Sequence, residues 1–394
     1  MSERVQVDVT IVGGGIGGCA AAVALRQAGL TVALLEKHVC GAGASGVNFG
    51  GVRQQGRHLA ELPLARRARP LWDELDARLG EDVEFQATGH LKLARSDADM
   101  DQLERYARDA AEHGLRLQLL GASALRAELP WLGADVVGAS LCAEDGQANP
   151  RLVGPAFARL ARRLGADVRE HAAVTSAARS GTGFETRTDG LEVKSRFLVN
   201  CAGVAAGGLA RWFDEDVPLR PLVPNMLVTE PLPFLVSRSI GVCGGGVYLR
   251  QIARGNVVLG GGDGWGDVEC SRSRPLTDIS LAAMAQALAI VPALAGCHVV
   301  RTWAGIDGEM PDRIPVLGFS ATTPNLVHAF GFSGHGFQLG PVVGEIIAEL
   351  VTQGRSASPL APFAIERFAA AAQPLAAAVG TGPSLVADTG PRGR

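Results

Sequence analysis

The sequence predicts an α/β fold of two parts, one built on a parallel sheet and the other on an antiparallel sheet. Three observations predict it. First, an apolar, β-branched run from Val5 to Val12 leads directly into GGGIGG at 13–18, a small-residue stretch and a second apolar run ending at Glu36. Second, hairpin and strand signals crowd residues 167–203, 217–230 and 246–262. Third, glycine is in excess: 51 of 394 residues, close to twice the roughly 7% of average usage.

Composition excludes several classes of function. There is no Gly-X-Y period and 47% of residues are hydrophobic, so neither collagen nor a disordered chain fits. The formal charge is −3 with both signs interspersed, which offers no surface for nucleic acid or an anionic membrane. Seven cysteines, odd in number and never in a Cys-x-x-Cys pair, argue against a disulfide framework or a zinc site and suit a reducing compartment. Residues 1–6 lack the basic, apolar and small-residue succession of a signal peptide, and no apolar run reaches the roughly 20 residues of a membrane span. A soluble cytoplasmic protein is expected.

The elements follow in order. Val5 to Val12 reads as a strand buried on both faces, Cys19 to Gln27 as a helix packed closely on a sheet, and Leu30 to Glu36 as a second strand. Cys40 to Gly56 carries six glycines in seventeen residues and reads as a buried loop lying against something flat. Leu59 to Leu79 reads as a helix interrupted by Pro63 and Pro70, Val83 to Ala94 as two short strands around Gly89, and Ala98 to His113 as an amphipathic helix. The turn DGQANP, 145–150, supplies Asn149 and Pro150 as N-cap and N1 of a helix over 151–164. Residues 167–203 read as a meander with Asp189-Gly190 at a hairpin turn. Thr277 to Val291 is a helix, Val299 to Trp303 and Leu326 to Phe330 are strands, 331–340 is a second glycine-rich loop, and Val342 to Thr352 is a helix.

Gly13-x-Gly15-x-x-Gly18 matches the dinucleotide fingerprint. Its glycines serve a tight turn, a close backbone approach to pyrophosphate, and packing of the helix on the strand. Glu36 lies eighteen residues beyond Gly18, at the end of the second strand, where a carboxylate accepts hydrogen bonds from ribose hydroxyls. An acid there also disfavours a 2′-phosphate. The fingerprint alone does not separate FAD from NAD.

Seven segments in matching order, spanning residues 5 to about 355, resemble the D-amino-acid oxidase superfamily of FAD-dependent amine and amino-acid oxidoreductases. The likeness is nearest to the sarcosine-oxidase β-subunit type; glycine oxidase and D-amino-acid dehydrogenases belong to the same group. The segments are GGGIGG with Glu36, SGVNFGGVR at 45–53, DGQANP, LVNCAG at 198–203, YLRQ at 248–251, AGIDGEMPDRIPVLG at 304–318 and GFSGHGFQLGP at 331–341. The resemblance implies FAD in a discontinuous Rossmann-like domain (1–80, 140–213 and 314–375), a second antiparallel-sheet α+β substrate domain (81–139 and 214–313), and a flexible tail at 376–394. It also implies FAD contacts from Gly13, Gly15, Ile16, Gly18, Glu36, Lys37, Ser45, Gly50, Gly51, Val174, Ala202, Gly203, Gly334, His335, Gly336, Phe337 and Gln338. A helix starting near Pro341 would aim its N-terminal dipole at the flavin.

On the substrate side, Arg53, Tyr248, Arg250 and Gln338 are the candidates for orienting the reacting molecule. Arg53 suits a carboxylate or a structural salt bridge. Tyr248 and Arg250, two apart on a strand, share a face that lines either a pocket or the solvent. His335 is expected to orient backbone rather than to transfer protons. Three departures from the family pattern stand out. Gln338 replaces a carboxylate-binding lysine. Val258 falls about where an oxygen-activating lysine stands in sarcosine oxidases, which leans toward a dehydrogenase. Trp303 and Ala304 occupy the region of a flavin-linking cysteine, so the FAD is expected to be non-covalent. The implied reaction is hydride transfer from an amine or amino acid to flavin N5, leaving an imine that hydrolyses. A pathway-specific flavoprotein acting on a biosynthetic intermediate, the electron-transfer subunit of a larger complex and a plain NAD-binding protein are the alternatives. No Ser-His-Asp spacing, HExxH, Walker A or paired metal ligands appear, so no metal is expected. The electron acceptor is open, as is the choice between a homo-oligomer and a companion subunit.

Overall fold

The computed structural model describes residues 3–371; the tail expected at 376–394 lies outside them. The first sheet has five parallel strands in the order Leu326–Phe330, Leu191–Asn200, Glu3–Val12, Val32–Leu35, Asp167–Arg169. Val316–Phe319 adds antiparallel at one edge, and the hairpin Val174–Ser180/Gly183–Thr188 pairs with the first half of Leu191–Asn200. Four-residue Val32–Leu35 is buried throughout, as a parallel strand covered on both faces must be. The helices Ile16–Gln27, Pro150–Arg163 and Gly336–Gln353 cover one face, with Ala20, Val153, Val343 and Ile347 in one core with Val9, Ile11 and Leu34, while on the other face Ala33 and Leu35 pack with Leu191, Val193 and Val174.

Two of these helices meet at unusually short range. A Cβ on Gly340 would stand 2.6 Å from Ile16 Cδ1, and one on Gly344 would stand 2.5 Å from the Ala20 carbonyl carbon. That approach explains a correction. The helix starts at Gly336, not near Pro341, so the expected 331–340 loop ends at His335. Gly340 and Gly344 are there for helix-on-helix packing, and Pro341 is carried inside the helix.

The second sheet is mostly antiparallel, in the order Val299–Ala304, Pro224–Pro231, Asn256–Asp263, Tyr248–Gln251, Ser239–Val242, His90–Ala94, Gly138–Cys142, Gln118–Gly121; only Ser239–Val242 and His90–Ala94 run parallel. Alternation sets its faces. Leu91, Leu93, Leu249 and Leu259 pack with Ala283, Ala287 and Ile290 of helix Thr277–Ile290. His90, Lys92 and Tyr248 face the opposite way.

Other boundaries differ from expectation for local reasons. Pro63 stands in the first turn of helix Leu62–Asp73, where its missing N–H costs nothing, and Pro70 is inside that helix. Only one strand, His90–Ala94, follows Gly89; before it Gln86 makes an isolated bridge to Gln147. Within DGQANP, Gly146–Gln147 is a short strand paired with Gly51–Val52, and Asn149 caps the next helix by accepting from Arg151 N at 3.1 Å. The loop 40–56 contains the helical turn Ala44–Val47. Asp167–Arg169 is not part of a meander; it completes the parallel sheet beside Val32–Leu35.

Candidate active site

The carboxyl ends of parallel strands are where ligands of open α/β sheets bind. Here Val12, Leu35, Cys201 and Phe330, at or just past four such ends, border one cavity of about 1660 Å³ that continues to the exposed face of the second sheet.

At the first end the fingerprint folds by local hydrogen bonding. Gly13 takes φ +107°, and a Cβ on it would overlap the Cys201 carbonyl. A Cβ on Gly18 would overlap the Gly13 carbonyl oxygen, which is why the helix lies so close to its strand. The helix begins at Ile16, inside the fingerprint, with no acid in its first turn. Ile16 N donates to Ser45 Oγ at 2.9 Å, and Gly14 N to Glu36 Oε2 at 2.6 Å. Glu36 Oε1 accepts from His38 N at 2.7 Å. A Cβ on Gly15 would have only Ser45 Oγ near it, at 3.2 Å, so this backbone is bare toward the cavity.

Gly13, Gly15, Ile16, Gly18, Glu36, Lys37, Ser45, Gly51, Val174, Ala202, Gly203, Gly334, His335, Gly336 and Phe337 all border the cavity. Gly50 and Gln338 do not. Gly50 is packed against Pro150 and the Arg250 guanidinium. The bare helix start, the glycine cradle and the lack of an acid in the first helical turn fit a pyrophosphate, and the cavity's extent fits a dinucleotide with a planar ring beyond it. The residues present therefore suit FAD.

The substrate-side candidates divide. Arg53 and Tyr248 border the cavity. Arg250 does not: it is 6% exposed, its Nε donates to Phe49 O at 2.6 Å, and its guanidinium stacks over the Phe49 ring at 5.4 Å. Tyr248 and Arg250 do share a face, but Phe49 covers the arginine end of it and meets the Tyr248 ring edge-on at 4.9 Å. Gln338 is also corrected. It is 1% exposed, and its Nε2 donates to Ala65 O at 2.8 Å, inside the contact with helix Leu62–Asp73. The early helix start turned it away from the cavity. Val258, 8% exposed and opposite Arg250 in register, brings no charge to the cavity. Trp303 Nε1 donates to Val47 O at 2.8 Å. Among the described residues Cys201 is the one cysteine bordering the cavity, and burial pushes its thiol up to about 12.

Sequence reasoning named His335 but missed the residues around it, Glu61 and Arg57. His335 Nδ1 is 2.9 Å from Glu61 Oε2, and Glu61 is fully buried. Arg57 Nη1 stands 3.7 Å from Glu61 Oε1, and Arg57 Nη2 donates to His335 O at 3.3 Å. Burial brings His335 down to about 4, with Arg57 and Arg53 adding to it against the pull of Glu61. A neutral ring with Nδ1–H on Glu61 leaves Nε2 as an acceptor. Burial works to raise the Glu61 carboxyl, but His335, Arg57 and Arg53 together hold it below its ordinary value. Burial lowers Arg57 to about 10, which leaves it charged at neutral pH. Lys92 and His90, both bordering the cavity, were missed as well. The alternation of His90-Leu91-Lys92-Leu93 was the available signal: two polar side chains on one face of a strand whose other face is core.

Comparisons with known proteins agree with this geometry. The profile of the family described as FAD dependent oxidoreductase (DAO) matches residues 8–350. The chain is 30% identical over 377 residues to the beta subunit of the sarcosine oxidase of Rhizobium meliloti strain 1021, covering 92% of this chain and 88% of that protein. It is 29% identical over 384 residues to an opine oxidase subunit of Rhizobium meliloti, covering 92% and 98%. Its fold is similar to the crystal structure of glycine oxidase from Geobacillus kaustophilus, with a TM-score of 0.87, 26% identity, and 92% and 99% of the two chains covered.

Proposed function

The chain belongs to the DAO family of FAD-dependent oxidoreductases, and from that premise we propose that it oxidises a C–N bond of an amino acid or secondary amine. One observation carries the reading. The cavity runs without interruption from the bare glycine cradle to a wall holding Arg53 and Tyr248, and Arg53 has no carboxylate within ion-pair distance among the described residues.

Bound FAD supplies the hydride acceptor, its N5. Arg53 takes the substrate carboxylate in its fork, and Tyr248 forms the opposite polar wall. The amine binds neutral, gives up hydride from its α-carbon and leaves as an imine, which water hydrolyses. His335, uncharged, accepts through Nε2 and does not add a cation beside the reacting amine. No strong side-chain base is needed, because alignment and exclusion of water do the protein's share.

The reading extends to three finer points. Val258 brings no ammonium to the cavity, which supports a dehydrogenase over an oxidase. Trp303 held by Val47, and Cys201 held as a thiol, support non-covalent FAD. Two relatives are named as subunits, which supports a companion chain here.

The test is anaerobic addition of an amine and amino-acid panel to the FAD-loaded protein, followed by air or a dye. Bleaching by a member of the panel is expected, then rapid reoxidation by the dye and slow reoxidation by air. A flavin that stays oxidised with every amine removes the C–N reading; rapid reoxidation by air removes the dehydrogenase reading.

A further inference from the structure

The second sheet places one row of residues across the cavity floor. In register, Lys92 stands beside Gly241, and Gly241 beside Tyr248. Strands lie about 4.8 Å apart, so Lys92 and Tyr248 flank a gap of roughly 10 Å over a residue with no side chain. Lys92, Gly241 and Tyr248 all border the cavity. The His90 ring lies against Gly241, with Nε2 3.3 Å from where its Cβ would be. His90 Nδ1 takes a hydrogen bond from Gln55 Nε2 at 2.9 Å, which puts the ring proton on Nε2.

Arg53 and Lys92 converge above this floor. From the position a Cβ would take on Gly56, Arg53 Nη1 is 3.0 Å away and Lys92 Nζ 3.2 Å, so the two nitrogens are at most about 6 Å apart. Arg53 Nη1 donates to Gln55 O, and Lys92 has no hydrogen-bond or ion-pair partner among the described residues. Arg57, by contrast, has Glu61. Two cations thus face one cavity wall with no carboxylate in ion-pair contact with either among the described residues, Glu61 and Asp145 acting on Arg53 only from farther off. Like charges this close in a partly buried site repel, and burial together with Arg53 lowers Lys92 accordingly. One substrate carboxylate would neutralise one of them and leave the other uncompensated.

We propose that the site selects an amine bearing two carboxylates, Arg53 holding the one next to the oxidised carbon and Lys92 holding the second. This rests on the C–N oxidation reading and names its substrate class. Lys92 is a specificity-determining residue, not a catalytic one. The spacing of Lys92 and Arg53 suits carboxylates separated by a few bonds across a secondary nitrogen, and the glycine floor leaves room for the chain between them.

The experiment uses the FAD-loaded protein and two pairs of probes. Oxydiacetate and methoxyacetate cannot form an imine, so their perturbation of the flavin absorption spectrum reports binding alone. Iminodiacetate and N-methylglycine report bleaching. A charge-assisted contact corresponds to about a 10- to 100-fold difference in affinity. Oxydiacetate is therefore expected to bind that much more tightly than methoxyacetate. Lys92→Met, or Lys92→Gln where the first variant folds poorly, is expected to abolish most of the difference by weakening oxydiacetate far more than methoxyacetate. Equal binding of the two probes, no binding of oxydiacetate, or a Lys92 substitution that weakens both probes alike overturns the proposal. The two readings separate cleanly. Selective oxydiacetate binding with no bleaching by any amine leaves the two-carboxylate site standing and removes C–N oxidation. Bleaching by monocarboxylates with no preference for the second carboxylate does the reverse.

Discussion

Glu61 and His335 lie 274 residues apart in the chain and 2.9 Å apart in the fold. The glutamate sits fully buried at the foot of helix Leu62–Asp73, and the histidine immediately precedes helix Gly336–Gln353. Their contact ties helix Leu62–Asp73, which lies behind the cavity, to helix Gly336–Gln353, which borders it, and sets which nitrogen of the imidazole is left as an acceptor. Arg57, on the other carboxylate oxygen, completes a buried charge balance.

Glu61→Gln tests that balance. The amide still accepts from His335, but Arg57 loses its counter-charge. Removing one partner of a buried pair costs about 3–5 kcal/mol. Thermal unfolding of the FAD-loaded protein should show a loss of that order, with FAD retained. An unchanged melting temperature would mean the pair is solvated.

Gly15→Ala and Gly18→Ala should fail differently. A side chain at Gly15 meets only Ser45 Oγ, at 3.2 Å, so the chain should fold but hold FAD poorly. One at Gly18 overlaps the Gly13 carbonyl, so the chain itself should be destabilised. Far-ultraviolet circular dichroism and the ratio of flavin to protein absorbance separate the two. Full FAD content in Gly15→Ala refutes the cradle.

Arg53→Met should raise KM for a carboxylate substrate by about 10- to 100-fold, the range for a charge-assisted contact, with kcat changed much less. Arg250→Met should instead lower stability by about 1–3 kcal/mol, through the loss of its bond to Phe49 and its stacking. Steady-state kinetics and thermal unfolding on both variants check this. A KM effect at Arg250 equal to that at Arg53 contradicts the assignment.

Stability of the FAD-free protein should fall on acidification. Burial lowers His90 well below its ordinary value and His335 to about 4, so both are neutral in the fold and take protons more readily when unfolded. Below about 6.5, the usual histidine value, the unfolded chain binds the extra protons, and stability declines as pH drops toward 4. His335 alone corresponds to up to about 3 kcal/mol across that window. Denaturant unfolding from pH 7 to 4.5 measures it, and His335→Gln should flatten the slope.

The nucleotide end of the site was legible in the sequence because its determinants are local. Gly13, Gly15 and Gly18 act through backbone within one strand–helix turn, and Glu36 reaches back to Gly14 from the next strand. The resemblance in seven ordered segments carried the FAD assignment further. The substrate end was legible only in part. Arg53 and Tyr248 face the cavity, whereas Arg250 and Gln338 are held by Phe49 and Ala65. Gln338 was misjudged because Gly336 and Gly340 read as the end of a loop, whereas the helix already starts at Gly336 and Gly340 lets it lie on Ile16.

By itself the sequence determined the strand–helix–strand unit, its bare anion-binding turn and the cofactor class, since each depends on residues within one continuous segment or on order along the chain. Only the tertiary structure decided which side chains line the wall opposite. Lys92, Gly241 and Tyr248 become neighbours through strand register, and Glu61 reaches His335 through helix packing. Such contacts depend on the relative placement of whole elements, and no local spacing encodes that.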